Sequence, residues 1–243
     1  MWRFFYGVST AVSLPGNTAL TALPSFDPRR VPVHCVDAHL PMVKTQSLHP
    51  LALVQRFANP PVWTPEVLAE ARFVDRAPVH AAVLIPLVMR ERLMVLLTER
   101  TTHLSSHSGQ VAFPGGKADV QDANATATAL REAHEEVGLA PQFVQILGTL
   151  PTYTTGSAFV VTPVVALVRE GFDITPNPYE VADVFEVPLE FLMNPAHHRH
   201  HAVDWAGQRR EWLSMPYMDA GKERFIWGAT AGMIRNLYRF LRV

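Results

Sequence analysis

Glu132, Glu135 and Glu136 stand at i, i+3 and i+4, so a helix through them sets three carboxylates on one face. Left alone, like charges at that spacing repel. A divalent cation would offset the repulsion, and carboxylate oxygens are the hard donors that Mg²⁺ or Mn²⁺ prefers. Pro114-Gly115-Gly116 precedes the segment and reads as a turn whose backbone, free of side chains, can approach a ligand closely. A loop entering a helix also offers free N–H groups to phosphate oxygens. An acidic, metal-holding helix beside such a turn points to a polyphosphate substrate. The plain alternative is a solvated acidic face with Arg131 in surface ion pairs. The glycine pair, Arg131 and Gly138 at their fixed offsets argue against it.

The elements that must position these groups follow from the pattern. Ala123 to Val137 reads as a helix ended by Gly138, with Ala127, Leu130, Ala133 and Val137 on the side opposite the glutamates. His80 to Met89 and Leu93 to Thr98 read as an antiparallel strand pair, followed by a short strand over Gln110 to Phe113. Further strands are expected over Val144 to Leu150, Phe159 to Val168 and Ala182 to Val187, with one helical turn over Leu189 to Met193. A hairpin is expected from Arg199 to Trp205 and Arg210 to Met215, turned at Ala206-Gly207. A last helix from Ala229 to about Leu241 carries Met233, Leu237, Phe240 and Leu241 as a core stripe. Two short helices are expected upstream, Pro50 to Phe57 and Pro65 to Phe73, the second capped by Thr64. Residues 1–45 are broken by Pro15, Gly16, Pro24, Pro28 and Pro32 and read as an irregular leader before a domain over 46–243. The order of elements is α+β, a mixed sheet between helices.

Composition sets the outer limits. The 243 residues carry a formal net charge of −1, too little field to draw in a nucleic acid. No apolar run reaches the roughly 20 residues that span a bilayer. Met1 to Leu23 is broken by polar residues and proline, so a secretory signal is not expected. The single cysteine, Cys35, excludes an internal disulfide and a cysteine zinc cluster. A cytoplasmic protein with a small-molecule partner, no nucleic acid and no membrane is expected, and a homodimer is left open. His197-His198-Arg199-His200-His201 is the one biased segment and reads as a solvent-exposed hairpin rather than a metal site. Trp205, Trp212 and Trp227 read as core or interface aromatics rather than base-stacking platforms.

At the acidic helix the sequence resembles the Nudix hydrolase family, whose box is G-x5-E-x7-R-E-U-x-E-E-x-G-U with U apolar. Gly116 opens it, and Arg131-Glu132-Ala133-His134-Glu135-Glu136-Val137-Gly138-Leu139 closes it in register. Asp122 stands where the family has glutamate, and 8 residues separate it from Arg131. That longer form is similar to the subgroup that hydrolyses coenzyme A. The subgroup's upstream motif, L-L-T-x-R-[SA]-x3-R-x3-G-x3-F-P-G-G, is met by Leu96-Leu97-Thr98-Glu99-Arg100 and by Gly109 and Phe113-Pro114-Gly115-Gly116, with Thr101 in place of the Ser/Ala, a mild change. Ser105 replaces the second arginine, and a hydroxyl cannot supply that charge. Asn177-Pro178-Tyr179-Glu180-Val181 looks like the subgroup's later acidic segment.

The resemblance implies an α/β/α sandwich and a Mg²⁺- or Mn²⁺-dependent diphosphatase acting on coenzyme A or its thioesters. It makes Glu132 and Glu136 the principal metal ligands, with Glu135 a further ligand or one acting through water. Arg131 would orient a carboxylate, and the base would be a box glutamate or Glu180. Arg100 is the foremost phosphate-contacting cation, with Gly115, Gly116 and Lys117 also at the substrate. Asp122 reads as mainly structural, near the helix start, and His103 and His107 as residues that could meet ligand. Another nucleoside diphosphate derivative, such as a dinucleotide or nucleotide sugar, is the alternative substrate that Ser105 favours. A non-catalytic ligand-binding module is the remaining alternative, and the intact glutamate set argues against it.

Overall fold

Residues Val79–Met89 form one apolar run, and both of its faces are buried: Ala81, Ile85 and Leu87 enter one core, Ala82, Leu84 and Val88 another. A strand alternates its side chains, so a run apolar on both faces belongs in the middle of a covered sheet. The computed structural model describes residues 27–72, 74–101, 109–205 and 208–243. The chain runs β1 (Val33–Val36), α1 (Pro50–Ala58), β2 (Val79–Met89), β3 (Leu93–Arg100), β4 (Val111–Ala112), β5 (Gly115–Lys117), α2 (Ala125–Val137), β6 (Val144–Thr149) and β7 (Tyr153–Thr154). It continues through β8 (Phe159–Val168), β9 (Val181–Pro188), α3 (Leu189–Leu192), β10 (Arg199–Trp205), β11 (Gln208–Asp219), β12 (Lys222–Trp227) and α4 (Gly228–Arg242).

The central sheet is mixed. β2 pairs in parallel with β8 along its length, Val79 with Phe159 through Val88 with Val168. Its other edge is shared, antiparallel to β5 at Ala81–Val83 and to β3 at Leu87–Met89. β9 lies antiparallel to β3, and β6 antiparallel to β8. One face is covered by α2 through Ala129, Ala133 and Val137. The other is covered by α1, α4 and a second sheet in the order β1-β10-β11-β12. The fold is therefore α+β with a mixed sheet between helices, as the sequence implied.

Several local expectations change. Residues 65–72 form no helix. The Glu66 and Val67 N–H groups donate to Asn236 Oδ1 at 2.9 and 3.1 Å, and Glu70 N–H donates to the Thr154 carbonyl. The Glu70 N–H, which a helix would have bonded internally, is thus taken by a tertiary partner, and Asn236 satisfies the two N–H groups of what would have been the first turn. Residue 73, where that helix was to end, lies outside the described residues. The second sheet exceeds the expected hairpin: β11 continues to Asp219 and pairs with β12, and Val33–Val36, from the segment read as irregular leader, pairs with β10. The histidine cluster is not a solvent-exposed hairpin, because His198 and His201 are buried. His201 stacks on Trp212, which also meets Trp227 edge-on. The side chain of Trp205 lies outside the described residues.

Arg235 of α4 ties these parts together. It is 3% exposed and reaches Asp37 and Glu66, each at 2.9 Å. Its Nη1 also donates to His198 Nδ1 at 2.9 Å, so His198 is neutral with its proton on Nε2, which donates to the Leu192 carbonyl at 2.8 Å. Burial, opposed by that carbonyl, pushes the His198 pKa down to about 4. The unfolded chain, with an ordinary imidazole, takes up that proton first as pH falls. Stability is therefore complete above the usual histidine pKa and is lost as pH drops from there toward 4, by about 2–3 kcal/mol for this group. Urea midpoints at pH 7 and pH 4.5 should differ by that amount in free energy, and His198→Gln should be less stable at pH 7 but flatter across the interval.

Candidate active site

Gly115 and Gly116 are strand, not turn, and the reason is space. A Cβ at Gly115 would lie 2.5 Å from the Ala82 carbonyl oxygen and 2.6 Å from Val83 Cα. One at Gly116 would lie 2.5 Å from the Glu132 carboxylate. The glycines let β5 press against β2 on one side and let α2 lie across it on the other. α2 begins at an Asn124 cap, whose Oδ1 accepts from Ala127 N–H at 3.0 Å, two residues later than expected. It ends at Gly138 with φ +74°. The glutamates occupy its second half, so β5 faces the later turns and not the helix start. The expected use of free helix N–H groups as a phosphate cradle is corrected accordingly.

Glu136 is 4% exposed. Its Oε2 accepts from Gly115 N–H at 3.1 Å, and its Oε1 lies 3.5 Å from Arg100 Nη1. Burial pushes its carboxyl up to about 7 against the pull of that N–H and of Arg100, while Glu132 and Glu180 add like-charge repulsion. The Glu132 carboxyl is also raised, first by burial and further by Glu135 and Glu180, with Arg131 opposing. Glu135 is the most open of the three, its side chain 56% exposed. Glu180 is thus near enough for its charge to act on both Glu132 and Glu136.

Arg131 is the hub of the acidic face. Its Nε and Nη2 grip Asp122 at 3.1 and 2.9 Å, and its Nη1 reaches Glu132 at 2.9 Å and Glu135 at 3.0 Å. Nη2 also donates to the Lys117 carbonyl at 3.0 Å, which fastens the helix to β5. The guanidinium holds the Asp122 carboxyl well below the usual range. Asp122 is therefore not a helix-start carboxylate satisfied by free N–H groups. It is the counter-ion that fixes Arg131, a role signalled in the sequence only by its place in the box. Lys117 itself is exposed. Arg100 does not pair with Glu99, which binds Lys222 and Arg224 at 2.7 and 2.8 Å. Its Nε is buried and has no hydrogen-bond partner among the described residues. His103, Ser105 and His107 lie outside the described residues.

Sequence reasoning missed the lock on the Glu180 loop. Asn177 N–H donates to the carbonyl of Glu136 at 2.8 Å, and Thr175 N–H to that of Val137 at 3.0 Å. From the other side, Thr101 N–H donates to the Glu180 carbonyl at 3.0 Å and Thr101 Oγ1 to the Tyr179 carbonyl at 3.1 Å. These bonds join segments far apart in the chain, and no local pattern announces them.

The donor chemistry fits a hard dication: every candidate ligand is a carboxylate, and Glu132 and Glu136 are destabilised as anions first by burial and then by neighbouring carboxylates. Among the described residues no three such side chains are yet gathered into a closed cage, since Arg131 holds Glu132 and Glu135 while Arg100 and Gly115 hold Glu136. The concave patch lined by Phe191, His197, Arg199 and Tyr217 contains no carboxylate and belongs elsewhere on the fold.

An acidic helix is thus locked against a glycine strand, with an under-bonded arginine at its buried end. Residues 78–206 match the NUDIX domain, and the chain belongs to that family. Its relatives include proteins described as uncharacterized Nudix hydrolase NudL. That of Enterobacter sp. strain 638 is 46% identical over 65% of this chain and 80% of its own length. That of Photorhabdus laumondii is 42% identical over 68% of this chain and 86% of its own. Among solved structures, a C. elegans Ap4A hydrolase aligns with a TM-score of 0.40 and 22% identity over 49% of this chain and 85% of that one. Nudix hydrolases act on diphosphate-containing substrates and generally use divalent metal ions.

Gly116→Ala tests the contact between strand and helix. Its methyl must displace the Glu132 carboxylate, so Mn²⁺ affinity measured by calorimetry should fall about tenfold or more while the fold persists by circular dichroism. Unchanged affinity would remove Glu132 from the ligand set.

Proposed function

We propose that this chain cleaves the diphosphate of coenzyme A or acyl-coenzyme A with Mg²⁺ or Mn²⁺, releasing 3′,5′-ADP and 4′-phosphopantetheine or its acyl form. The observation that carries the reading is Arg100. The upstream motif that resembles the coenzyme A subgroup ends in the same Gly115-Gly116 pair that packs on α2, and its first arginine sits 3.5 Å from Glu136 with a buried, unsatisfied Nε. A guanidinium with spare donors beside the acidic face is suited to a phosphate oxygen.

Glu132 and Glu136 would hold the metal, with Glu135 as a further or water-mediated ligand. When bound, the dication would neutralise phosphate charge and lower the pKa of a water. Arg131, anchored by Asp122, keeps Glu132 and Glu135 in place. Arg100 balances the diphosphate charge, aided by Lys117 at the exposed rim. Hydrolysis adds water to one phosphorus and breaks the P–O–P bridge, and the proton of that water passes to a box glutamate or to Glu180. No helix among the described residues is long and apolar enough to cross a membrane, and we place the reaction in the cytoplasm, where the proposed substrate is found.

Ser105 favours a second reading, a dinucleotide or nucleotide sugar as substrate, because the subgroup's second arginine is absent. A panel of coenzyme A, acetyl-coenzyme A, NADH, ADP-ribose and UDP-glucose, each with Mg²⁺ and with Mn²⁺, separates the two. Selective turnover of the thiol cofactor supports the first reading, and preference for another member supports the second. Glu136→Gln should lower kcat about 100-fold or more with the fold intact, and a near-wild-type rate would reject the site. Ser105→Arg should raise kcat/KM for coenzyme A, and an unchanged or lower value would reject a phosphate-gripping role for that position.

A further inference from the structure

The Thr101 hydroxyl is buried, 6% exposed, and donates to the carbonyl of Tyr179, which immediately precedes Glu180. The Thr101 backbone N–H donates to the carbonyl of Glu180 itself at 3.0 Å. Thr101 also follows Arg100 directly, at the end of β3 where Arg100 pairs with Val181. Across the loop, Asn177 N–H is bonded to the carbonyl of Glu136, and its Oδ1 accepts from Tyr179 N–H at 3.1 Å. The four residues Asn177–Glu180 are thus held between the metal helix and the strand bearing the phosphate cation. The Tyr179 ring takes no part in this, for it is 77% exposed. Both fastenings on the β3 side come from one residue.

We propose that Thr101 is a positioning residue: its hydroxyl fixes the Tyr179-Glu180 peptide so that the Glu180 carboxylate is presented to the acidic face of α2. The inference rests on the reading of that face as the diphosphatase site, and adds to it a residue that touches neither metal nor substrate. The physical ground is the precision that catalysis needs. A carboxylate on a loop serves as base or ligand only if its backbone cannot drift, and a drift of about 1 Å can cost about 100-fold in rate. The Glu180 loop has no helix or strand of its own between Gly171 and Val181, only a turn in which the Glu180 and Val181 N–H groups donate to the Asn177 carbonyl at 3.1 and 2.9 Å, so bonds from its neighbours fix where that turn sits. With Val at position 101 the shape and the backbone N–H bond remain, and only the hydroxyl bond is lost. Loss of that bond frees the Tyr179 carbonyl and removes one of the two ties between Thr101 and the loop.

A double-mutant cycle decides the matter. Wild type, Thr101→Val, Glu180→Gln and the double variant are assayed with Mn²⁺ on the five-member panel, using the substrate that wild type turns over fastest. Thr101→Val should lower kcat about tenfold with KM within about twofold, and Thr101→Ser, which keeps the hydroxyl, should restore the rate to within about twofold. In the Glu180→Gln background the same Thr101→Val change should cost less than about twofold. Melting temperatures of all variants are recorded, and Thr101→Ala serves as a second hydroxyl deletion should the valine variant fail to fold. An undiminished rate for Thr101→Val, no rescue by serine, or the same fold-loss in both backgrounds would overturn the proposal. Wild type inactive on every panel member, or Glu180→Gln as fast as wild type, would instead overturn the diphosphatase reading or the role of Glu180, and the inference with it.

Discussion

The contact between the glycine strand β5 and the second half of α2 is the constraint on which the rest depends. Gly116 leaves the volume that the Glu132 carboxylate fills, and Gly115 supplies the N–H that Glu136 accepts. Neither glutamate could otherwise be set this close to the sheet. A side chain at Gly116 would collide with the Glu132 carboxylate and one at Gly115 would force β5 away from β2, carrying off the N–H that makes the burial of Glu136 tolerable. The apolar side of the same helix, Ala129, Ala133 and Val137, presses on β2 and β8 and holds the contact shut. One helix thus carries its packing surface and its chemistry at once.

Charge explains why the arrangement is poised. Burial raises the proton affinity of Glu132 and Glu136, and neighbouring carboxylates add to it: Glu135 and Glu180 at Glu132, Glu132 and Glu180 at Glu136. The protein supplies two arginines against this charge, in different ways. Arg131 is saturated, with Asp122 gripping it in a fork and its remaining donors on Glu132, Glu135 and the Lys117 carbonyl, so it acts as a fixed part of the scaffold. Arg100 is under-bonded, with a longer contact to Glu136 and a buried Nε lacking a partner. A bound dication and a bound diphosphate, of opposite sign, would relieve both imbalances together.

The remainder of the chain braces this centre from the far face of the sheet. Arg235 gathers Asp37, Glu66 and His198 from three separated segments, and breaking such a buried network costs more than its formation gains, because the surviving charges are left unpaired. Arg224, equally buried, binds Glu99, Asp183 and Asp219 and so pins the second sheet to β3 and β9, the two strands that lead into Arg100 and the Glu180 loop. The second sheet therefore fixes the strands that flank the acidic face.

Much of the site was legible because its grammar is local. Carboxylates at i, i+3 and i+4, a glycine after the helix and a glycine pair before it are spacings a single chain segment must satisfy, and helix geometry turns them into a common face. The central strands were legible for the same reason, since a two-sided apolar run has few places to go. What failed to show were features decided across long sequence separations. Residues 65–72 have helical signals but give their N–H groups to Asn236 and Thr154; His198 and His201 look like a polar surface run but find Arg235, Ser214 and backbone carbonyls in the interior. Asp122 sits too early for the helix start and instead meets Arg131 across a turn. The sequence by itself determined which residues carry charge and which faces are apolar. Only the tertiary structure decided which buried polar group meets which partner, because burial makes each such pairing obligatory without fixing where along the chain the partner must come from.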